Sequence, residues 1–281
     1  RQLYAAQLEL IILSEEAATN HMPEILEYFS REPESRTEVK FVITRGDDST
    51  KAVTIQTLLT NFSSSNIKQS LELQQKVLGL TPVYTLNELL NMYLDPTLEI
   101  SLPSIIVYGN AEEGDKKENI TTSTPKALTK IGTTAIFKGK DFLGYLTEEE
   151  SKVHSIIIGS TTESIINLDY KDNYSVFELY KIESDISPDI KDNKITLNIS
   201  GKARIKEFHS NTNITKAKET DRLNKELNKH IEDIIKKNFN SMREKYNTDI
   251  FSFRQSFYRE NPKYYNTHYK DTWYESIFPN L

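Results

Sequence analysis

The histidines are the first side chains in this sequence that could do chemistry. They are His21, His154, His209, His230 and His268, and none has a second histidine four residues further on. Zinc-binding helices use that spacing because residues i and i+4 share one helix face. A metal site would have to assemble from distant segments, so the sequence predicts no metal site.

Carboxylate pairs are the second candidates for chemistry. Adjacent acids occur at Asp47-Asp48, Glu112-Glu113 and Glu148-Glu149-Glu150. Each group lies in a predicted turn or at a predicted helix start, where the helix macrodipole favours negative charge. We therefore interpret these acids as structural and not as catalytic pairs.

Several reaction classes are excluded by residues or motifs that the sequence lacks. It has no cysteine, which excludes disulfides, thiolate metal sites and thiol nucleophiles. It also lacks GxGxxG, GxxxxGK[ST], HExxH and GxSxG, the local patterns of nucleotide, zinc-protease and serine-hydrolase sites. The sequence predicts a protein that is not an enzyme, with no catalytic residues, no metal ligands and no cofactor.

Charge and hydropathy limit the partners. The 281 residues carry a net charge of -6, which gives no bulk attraction for nucleic acid. A lysine-rich helix face (Lys225, Lys229, Lys236 and Lys237) is interleaved with acids, which is typical of a solvated face. No run of about 18 apolar residues occurs, so this stretch of chain is expected to be soluble.

An aromatic-rich segment lies near the end of the chain, between Asp249 and Pro279. Its rings are Phe251, Phe253, Phe257, Tyr258, Tyr264, Tyr265, Tyr269, Trp273, Tyr274 and Phe278. A stacking platform for nucleic acid or sugar, a membrane-surface anchor and a local core are the competing interpretations.

The surroundings of these aromatic residues favour a local core. The neighbouring charges are mixed, and no apolar segment adjoins the rings. We predict that Phe253, Phe257, Tyr264 and Trp273 form the core. Tyr265 and Tyr269 are predicted to keep their hydroxyls in water at its rim.

Predicted strands and helices follow one another through the first half of the chain, and they must position these groups. The apolar runs LELIIL, VKFVITRG and SIIVYG indicate strands. Thr85 and Glu88 form a capping box, and the helix that follows should place its apolar side chains on one face. Those side chains are Leu86, Leu89, Leu90, Tyr93 and Leu94.

The middle of the chain contains a loop, a hairpin and a helix start. Residues 110–126 are almost entirely polar and predict a solvated loop or linker. Two apolar runs flank Lys138-Gly139-Lys140, as in a hairpin. Thr147 and Glu150 form a second capping box, which predicts a helix start.

In the second half of the chain, the residue pattern predicts strands from Ser155 onward and then one long helix, Glu219 to Tyr246. The long helix has an apolar stripe that includes Leu223, Leu227, Ile231 and Ile234, which we expect to be buried against the sheet.

The predicted fold is α+β and multi-domain, with mixed or antiparallel sheets and packed helices. Residues 1–154 form the predicted N-terminal region, itself expected to contain two subdomains. Residues 155–281 form the second domain, an antiparallel sheet covered by the long helix and by shorter aromatic-rich helices.

Three segments resemble the Ger(x)C lipoproteins, the C subunits of spore germinant receptors. The first matches at Asp249, Ile250, Phe251, Phe253, Pro262, Lys263, Tyr264, Trp273, Phe278 and Pro279, whereas Tyr265 stands where the family usually has tryptophan. The second matches at Ala135, Phe137, Lys138, Gly139, Gly144, Leu146, Thr147, Glu149 and Glu150 and departs after Ser151. The third matches at Arg31, Pro33, Glu34 and Arg36.

The resemblance implies a non-enzymatic C subunit needed for nutrient-triggered germination of bacterial spores. The implied partners are an integral-membrane A subunit, a B subunit that resembles amino-acid transporters, and a small D subunit. The implied location is the outer face of the spore inner membrane. Attachment there would be through an N-terminal lipid anchor that the sequence does not contain.

Two alternatives stay open at this point. One is an extracellular lipoprotein module that binds a solute or peptidoglycan, which would need a concave pocket with aromatic walls. The other is a hydrolase whose site forms only in three dimensions. A cleft that gathers a histidine with carboxylates from distant segments would favour the hydrolase.

Overall fold

The computed structural model describes residues 8–31, 38–46, 49–55, 63–116, 118–121, 124–171, 173–209, 214 and 216–281. Asp47, Asp48, Pro33, Glu34 and Arg36, which were singled out above, lie outside these ranges. Residues 1–75 and 80–148 form one unit, and residues 76–79 and 149–281 form a second. Both units combine helices with sheets, which confirms the predicted α+β class.

The described residues of the first unit form seven strands in two sheets. They are β1 (Leu10–Ser14), β2 (Lys40–Thr44), β3 (Ser101–Leu102), β4 (Ser104–Gly109), β5 (Ala127–Ile131), β6 (Ala135–Lys138) and β7 (Asp141–Tyr145). The larger sheet has the order β1-β2-β4-β5, with β1, β2 and β4 parallel and β5 antiparallel to β4. The smaller sheet, β3-β6-β7, is antiparallel.

The helices of the first unit cover both faces of the larger sheet. They are α1 (Glu15–Asn20), α2 (Met22–Arg31), α3 (Ser49–Thr54), α4 (Ser63–Leu73), α5 (Leu86–Leu94), α6 (Ala111–Gly114) and α7 (Glu118–Thr121). Leu26 of α2 and Leu89 of α5 pack with Phe41 on one face, whereas Leu71 of α4 packs with Val42 on the other. Burial on both faces explains why β2 is apolar at successive positions.

The predicted capping box and hairpin are both present. The Thr85 hydroxyl accepts from the Glu88 amide, and the Glu88 carboxylate accepts from the Thr85 amide at 2.8 Å, which starts α5. Lys138 pairs with Asp141 across a two-residue turn, where Gly139 has φ 57°. Glycine suits that left-handed conformation because it has no Cβ to clash.

Two features of the first unit add detail to the sequence predictions. The polar residues 110–126 are mostly exposed where the structure describes them, but they contain the short helices α6 and α7, and the buried Asn119 accepts from the amide of Ala127 at 3.1 Å. Tyr93 and Leu94 of α5 are 40% and 73% exposed. Leu86 and Leu89 are buried, so the apolar face of α5 is covered mainly in its first turns.

Where the structure describes the second unit, it has three antiparallel strands and four α-helices. They are α8 (Glu148–Ile157), β8 (Glu163–Tyr170), β9 (Asn173–Asp189), β10 (Lys194–Phe208), α9 (Ala217–Tyr246), α10 (Phe253–Glu260) and α11 (Pro262–His268). Helix α8 starts where the Thr147 motif predicted. A π-helical turn (Trp273–Ile277) and a 3₁₀ turn (Phe278–Asn280) follow α11.

The long helix α9 covers this sheet as predicted. Leu223 and Leu227 are buried with Leu168 of β8 and Phe177 of β9, and Ile231 packs at the edge of the same cluster. Ile234 is half-buried. The apolar stripe therefore faces the sheet, with buried residues near both ends of the helix and half-buried ones in its middle.

Strands β9 and β10 extend beyond β8 as a two-stranded ribbon. Strand β8 pairs only with residues 173–180 of β9, whereas β9 pairs with β10 as far as Asp189 and Lys194. Among the described strands, β10 therefore has a neighbour on one side only. Its other edge carries backbone groups that point away from the sheet.

Candidate functional site

The aromatic segment forms a local core, as predicted. Phe253 and Phe257 of α10 and Trp273 are buried. The rings of Phe257 and Trp273 meet edge to face with centroids 5.3 Å apart, and those of Phe257 and Tyr269 with centroids 5.5 Å apart. Such contacts add to the burial of apolar area, so these rings stabilise the end of the chain.

The predicted environments of Tyr264, Tyr265 and Tyr269 were wrong. Tyr264 is 38% exposed and stacks on His268, whereas Tyr265 and Tyr269 are buried. The Tyr265 hydroxyl accepts a hydrogen bond from Arg254. The Tyr269 hydroxyl lies within hydrogen-bond distance of the Ile190 carbonyl, in the turn between β9 and β10. Protein groups therefore replace the water that these hydroxyls were expected to contact.

Asp249 has a structural role that the sequence analysis did not identify. It is 1% exposed, and its Oδ1 accepts from the amides of Phe251 and Phe253, each at 3.2 Å. Its Oδ2 accepts from the amide of Arg254. The carboxylate thus accepts from the first two amides of α10, which have no partner within the helix, and from the Phe251 amide in the turn before it.

His154 is a buried histidine, not a candidate catalytic group in an open cleft. Its Nε2 donates to the carbonyl of Ile250 at 3.0 Å, and its ring lies 6.0 Å from that of Phe251. Burial lowers the pKa of His154 to about 4, and the bond to Ile250 opposes only part of that shift. The His154 ring is therefore neutral in the folded protein at neutral pH.

We expect His154 to make folding pH-dependent. Its pKa of about 4 in the folded state lies below the ordinary value of 6.5, so the unfolded chain binds more protons between these values. Stability should therefore fall as pH decreases below 6.5, by about 2 kcal/mol at pH 5 and about 3 kcal/mol below pH 4.

Urea unfolding of wild type and His154→Gln at pH 7 and pH 5 measures this effect. The variant should lose about 2 kcal/mol less than wild type over that interval. His268→Gln, at an exposed site, serves as the control and should behave as wild type does. Equal pH dependence of His154→Gln and wild type would contradict the expectation.

The remaining candidate residues are not brought together. His230 bonds to the Asn167 carbonyl, His209 lies 3.5 Å from Glu207 on β10, and His268 bonds within α11. Glu149 bonds to Lys237, and Glu150 accepts from Ser241. Within the described ranges, no group of three or more histidines and acids could hold a metal ion.

A polar network holds the hairpin β6–β7 in the first unit. The Tyr145 hydroxyl donates to Oε1 of Glu15 at 2.7 Å, and that carboxylate also accepts from the amide of Gly46. Arg45 lies over the Tyr145 ring at 4.1 Å and donates to Thr133. Burial and the bond to Glu15 raise the Tyr145 pKa. These groups position the hairpin at the ends of β1 and β2.

The second unit contains an apolar groove. It lies between the edge strand β10 and helix α9 and has a volume of about 850 Å³. We call it the β10 groove and define it by six half-buried side chains: Ile195, Leu197, Ile199, Ile231, Ile235 and Phe239. It forms because α9 lies close to β8 and farther from β10. The alternation of apolar and polar residues along β10 predicted one solvent-exposed face of the strand, but it did not predict the groove.

Membrane-spanning helices were searched for in the described part of the chain. None of the helices there combines the length and the hydropathy needed to cross a bilayer.

Two family models match the chain. The model described as "Spore germination B3/ GerAC like, C-terminal" matches residues 132–281, which is more than half of the chain. The model described as "Spore germination protein N-terminal domain" matches residues 1–107. The two matches follow one another in the order that their descriptions give.

One solved structure supports the same fold. It is described as "Crystal Structure of the GerBC protein", and the TM-score is 0.64 at 19% sequence identity. The similarity covers 100% of this chain and 77% of that chain. At this identity the likeness shows a shared fold. None of the curated proteins compared with the chain matches it.

Proposed function

The chain belongs to the spore germination B3/GerAC-like family, and from that premise we propose that it is the C subunit of a nutrient germinant receptor. The observation that carries the proposal is the pair of family matches in sequence order, over residues 1–107 and 132–281. The shared fold with GerBC supports it.

The proposed role is non-enzymatic and depends on binding. Three side chains whose chemical types occur in active sites make structural hydrogen bonds here. His154 bonds to a backbone carbonyl, Asp249 caps α10, and Tyr145 holds a hairpin through Glu15. Such a protein acts through its surfaces, by scaffolding its partners or by coupling the state of the receptor to germination.

The proposed partners are the A and B membrane subunits of the receptor, together with a D subunit. The proposed location is the outer face of the spore inner membrane, with attachment through an N-terminal lipid anchor. These statements come from the family resemblance. The β10 groove gives little support to the alternative of a solute- or peptidoglycan-binding module, because most of the side chains that line it are aliphatic. That alternative would need a concave pocket with aromatic walls.

Gene disruption tests the proposed function. Spores that lack the gene, in a strain without paralogous receptors, should fail to germinate with nutrients and should respond normally to nutrient-independent triggers. Complementation with the wild-type gene is the control. Normal nutrient germination of the disrupted strain would contradict the proposal. Purification of the full-length protein from spore membranes should also recover the A and B subunits.

A further inference from the structure

A short connector joins helices α9 and α10 in a backbone conformation that its residues rarely adopt. We define the connector as residues 247–252. Asn247 and Ser252, at its two ends, have φ values of 44° and 65°, which lie in the left-handed region and are uncommon for residues with a Cβ. The four residues between them are buried. A conformation of this kind persists only where the surrounding structure holds it.

His154 of α8 holds the middle of the connector. Its Nε2 donates to the carbonyl of Ile250 at 3.0 Å, and its ring lies 6.0 Å from that of Phe251. Because Nε2 carries the proton of the neutral ring, Nδ1 is the basic nitrogen. Nδ1 is buried and has no hydrogen-bond partner among the described residues. Protonation would therefore place a second N–H and a positive charge where no acceptor lies, which is costly in an apolar interior.

The charged groups on the elements around His154 have other partners. Glu150, one turn earlier on α8, accepts from Ser241 of α9. Asp249 of the connector accepts from amides at the start of α10. Strand β9 meets α8 with apolar side chains. The other titratable groups nearby are also engaged: Arg243 and Lys245 lie over the rings of Phe239 and Tyr246, and Tyr274 accepts from the Asp249 amide.

We propose that His154 and the connector form an acid-sensitive latch within the second unit. When His154 takes up a proton, its ring leaves the buried site and the bond to Ile250 breaks. The connector then relaxes from its left-handed conformations, and α10 and α11 open while the sheet stays folded. The latch differs from a general loss of stability because one segment opens first. It does not depend on the receptor role proposed above.

Hydrogen exchange followed by mass spectrometry tests the latch through protection factors at pH 7 and pH 5. Any opening that exposes His154 should become about 20-fold more frequent over this interval, because the pKa of the ring rises from about 4 to 6.5 on exposure. The protection factors of the α10 and α11 amides should therefore fall about 20-fold. At both pH values these amides should also be less protected than those of β9.

Two results for the wild-type protein would overturn the proposal. Equal protection of the α10 and β9 amides would show that helix and sheet open together. Protection of α10 and α11 that does not change between pH 7 and pH 5 would show that their opening leaves His154 buried. Both results can be read without any variant.

Histidine variants assign the pH dependence to one side chain. In His154→Gln the protection factors of α10 and α11 should change less than twofold between pH 7 and pH 5, because no group titrates at that position. His268→Gln, at an exposed site on α11, is the control and should keep the 20-fold change. A 20-fold change that persists in His154→Gln would contradict the latch.

A connector variant tests the backbone part of the latch without altering His154. Ser252→Val places a β-branched residue at φ 65°, where it is strongly disfavoured. At pH 7 the α10 and α11 amides should lose at least fivefold in protection, and the β9 amides should lose less than twofold. An equal loss in β9 would show that the connector and the sheet open as one unit, which would also overturn the proposal.

Discussion

Truncation of Trp273 is expected to destabilise the protein by about 3–5 kcal/mol. Its ring is 1% exposed and lies among the rings of Phe257, Tyr265 and Phe278. Trp273→Ala removes these contacts and leaves a cavity that the packed helices α10 and α11 cannot fill completely. Such a cavity adds to the lost transfer free energy.

Urea unfolding followed by far-UV circular dichroism measures this loss, since the variant lacks the tryptophan that fluorescence would report. Tyr264→Ala is the matched control, because Tyr264 belongs to the same segment but is 38% exposed. It should cost less than about 1 kcal/mol. A similar small loss for Trp273→Ala would mean that the aromatic segment is not a core, and an exposed binding face would then explain its rings better.

Removal of the Asp249 carboxylate is expected to cost about 3 kcal/mol or more. The amides of Phe251, Phe253 and Arg254 all donate to it, and the first two are buried with it. Asp249→Ala leaves these donors unsatisfied, and each buried donor without a partner costs about 1–3 kcal/mol.

Asp249→Asn keeps the shape of the side chain but turns one acceptor oxygen into a donor, so its loss should be intermediate. Asp271→Ala removes an exposed acid of the same region and should change stability by less than about 0.5 kcal/mol. The measurement is the free energy of unfolding of the three variants and wild type. A loss below about 1 kcal/mol for Asp249→Ala would show that α10 does not depend on this cap.

The residues that carry the family resemblance have structural roles here. Asp249 caps α10, and Phe251 and Phe253 stack in the core with centroids 5.4 Å apart. In the first unit, Phe137 is a buried residue of hairpin strand β6, and Gly139 lies in the hairpin turn. The motifs therefore identify the fold, and they locate no partner site.

The sequence by itself determined the features that depend on local pattern. The hairpin at Gly139, the start of α5 at the Thr85 cap and the apolar stripe of α9 follow from short-range spacing and backbone preference. The α+β class follows from the order of these elements, because each apolar face must be buried against another element.

Only the tertiary structure decided which of several similar side chains meet. Tyr264 and Tyr265 are neighbours on the seven-residue helix α11, but only Tyr265 is buried. Which of the two is buried depends on how α11 packs against the rest of the unit, and no local pattern specifies that. The role of Asp249 depends on the chain turning back at Ser252, where φ is 65°. The β10 groove depends on how α9 packs across the sheet, which sets its distance from β10. Long-range packing sets these three features, so residue spacing alone could not predict them.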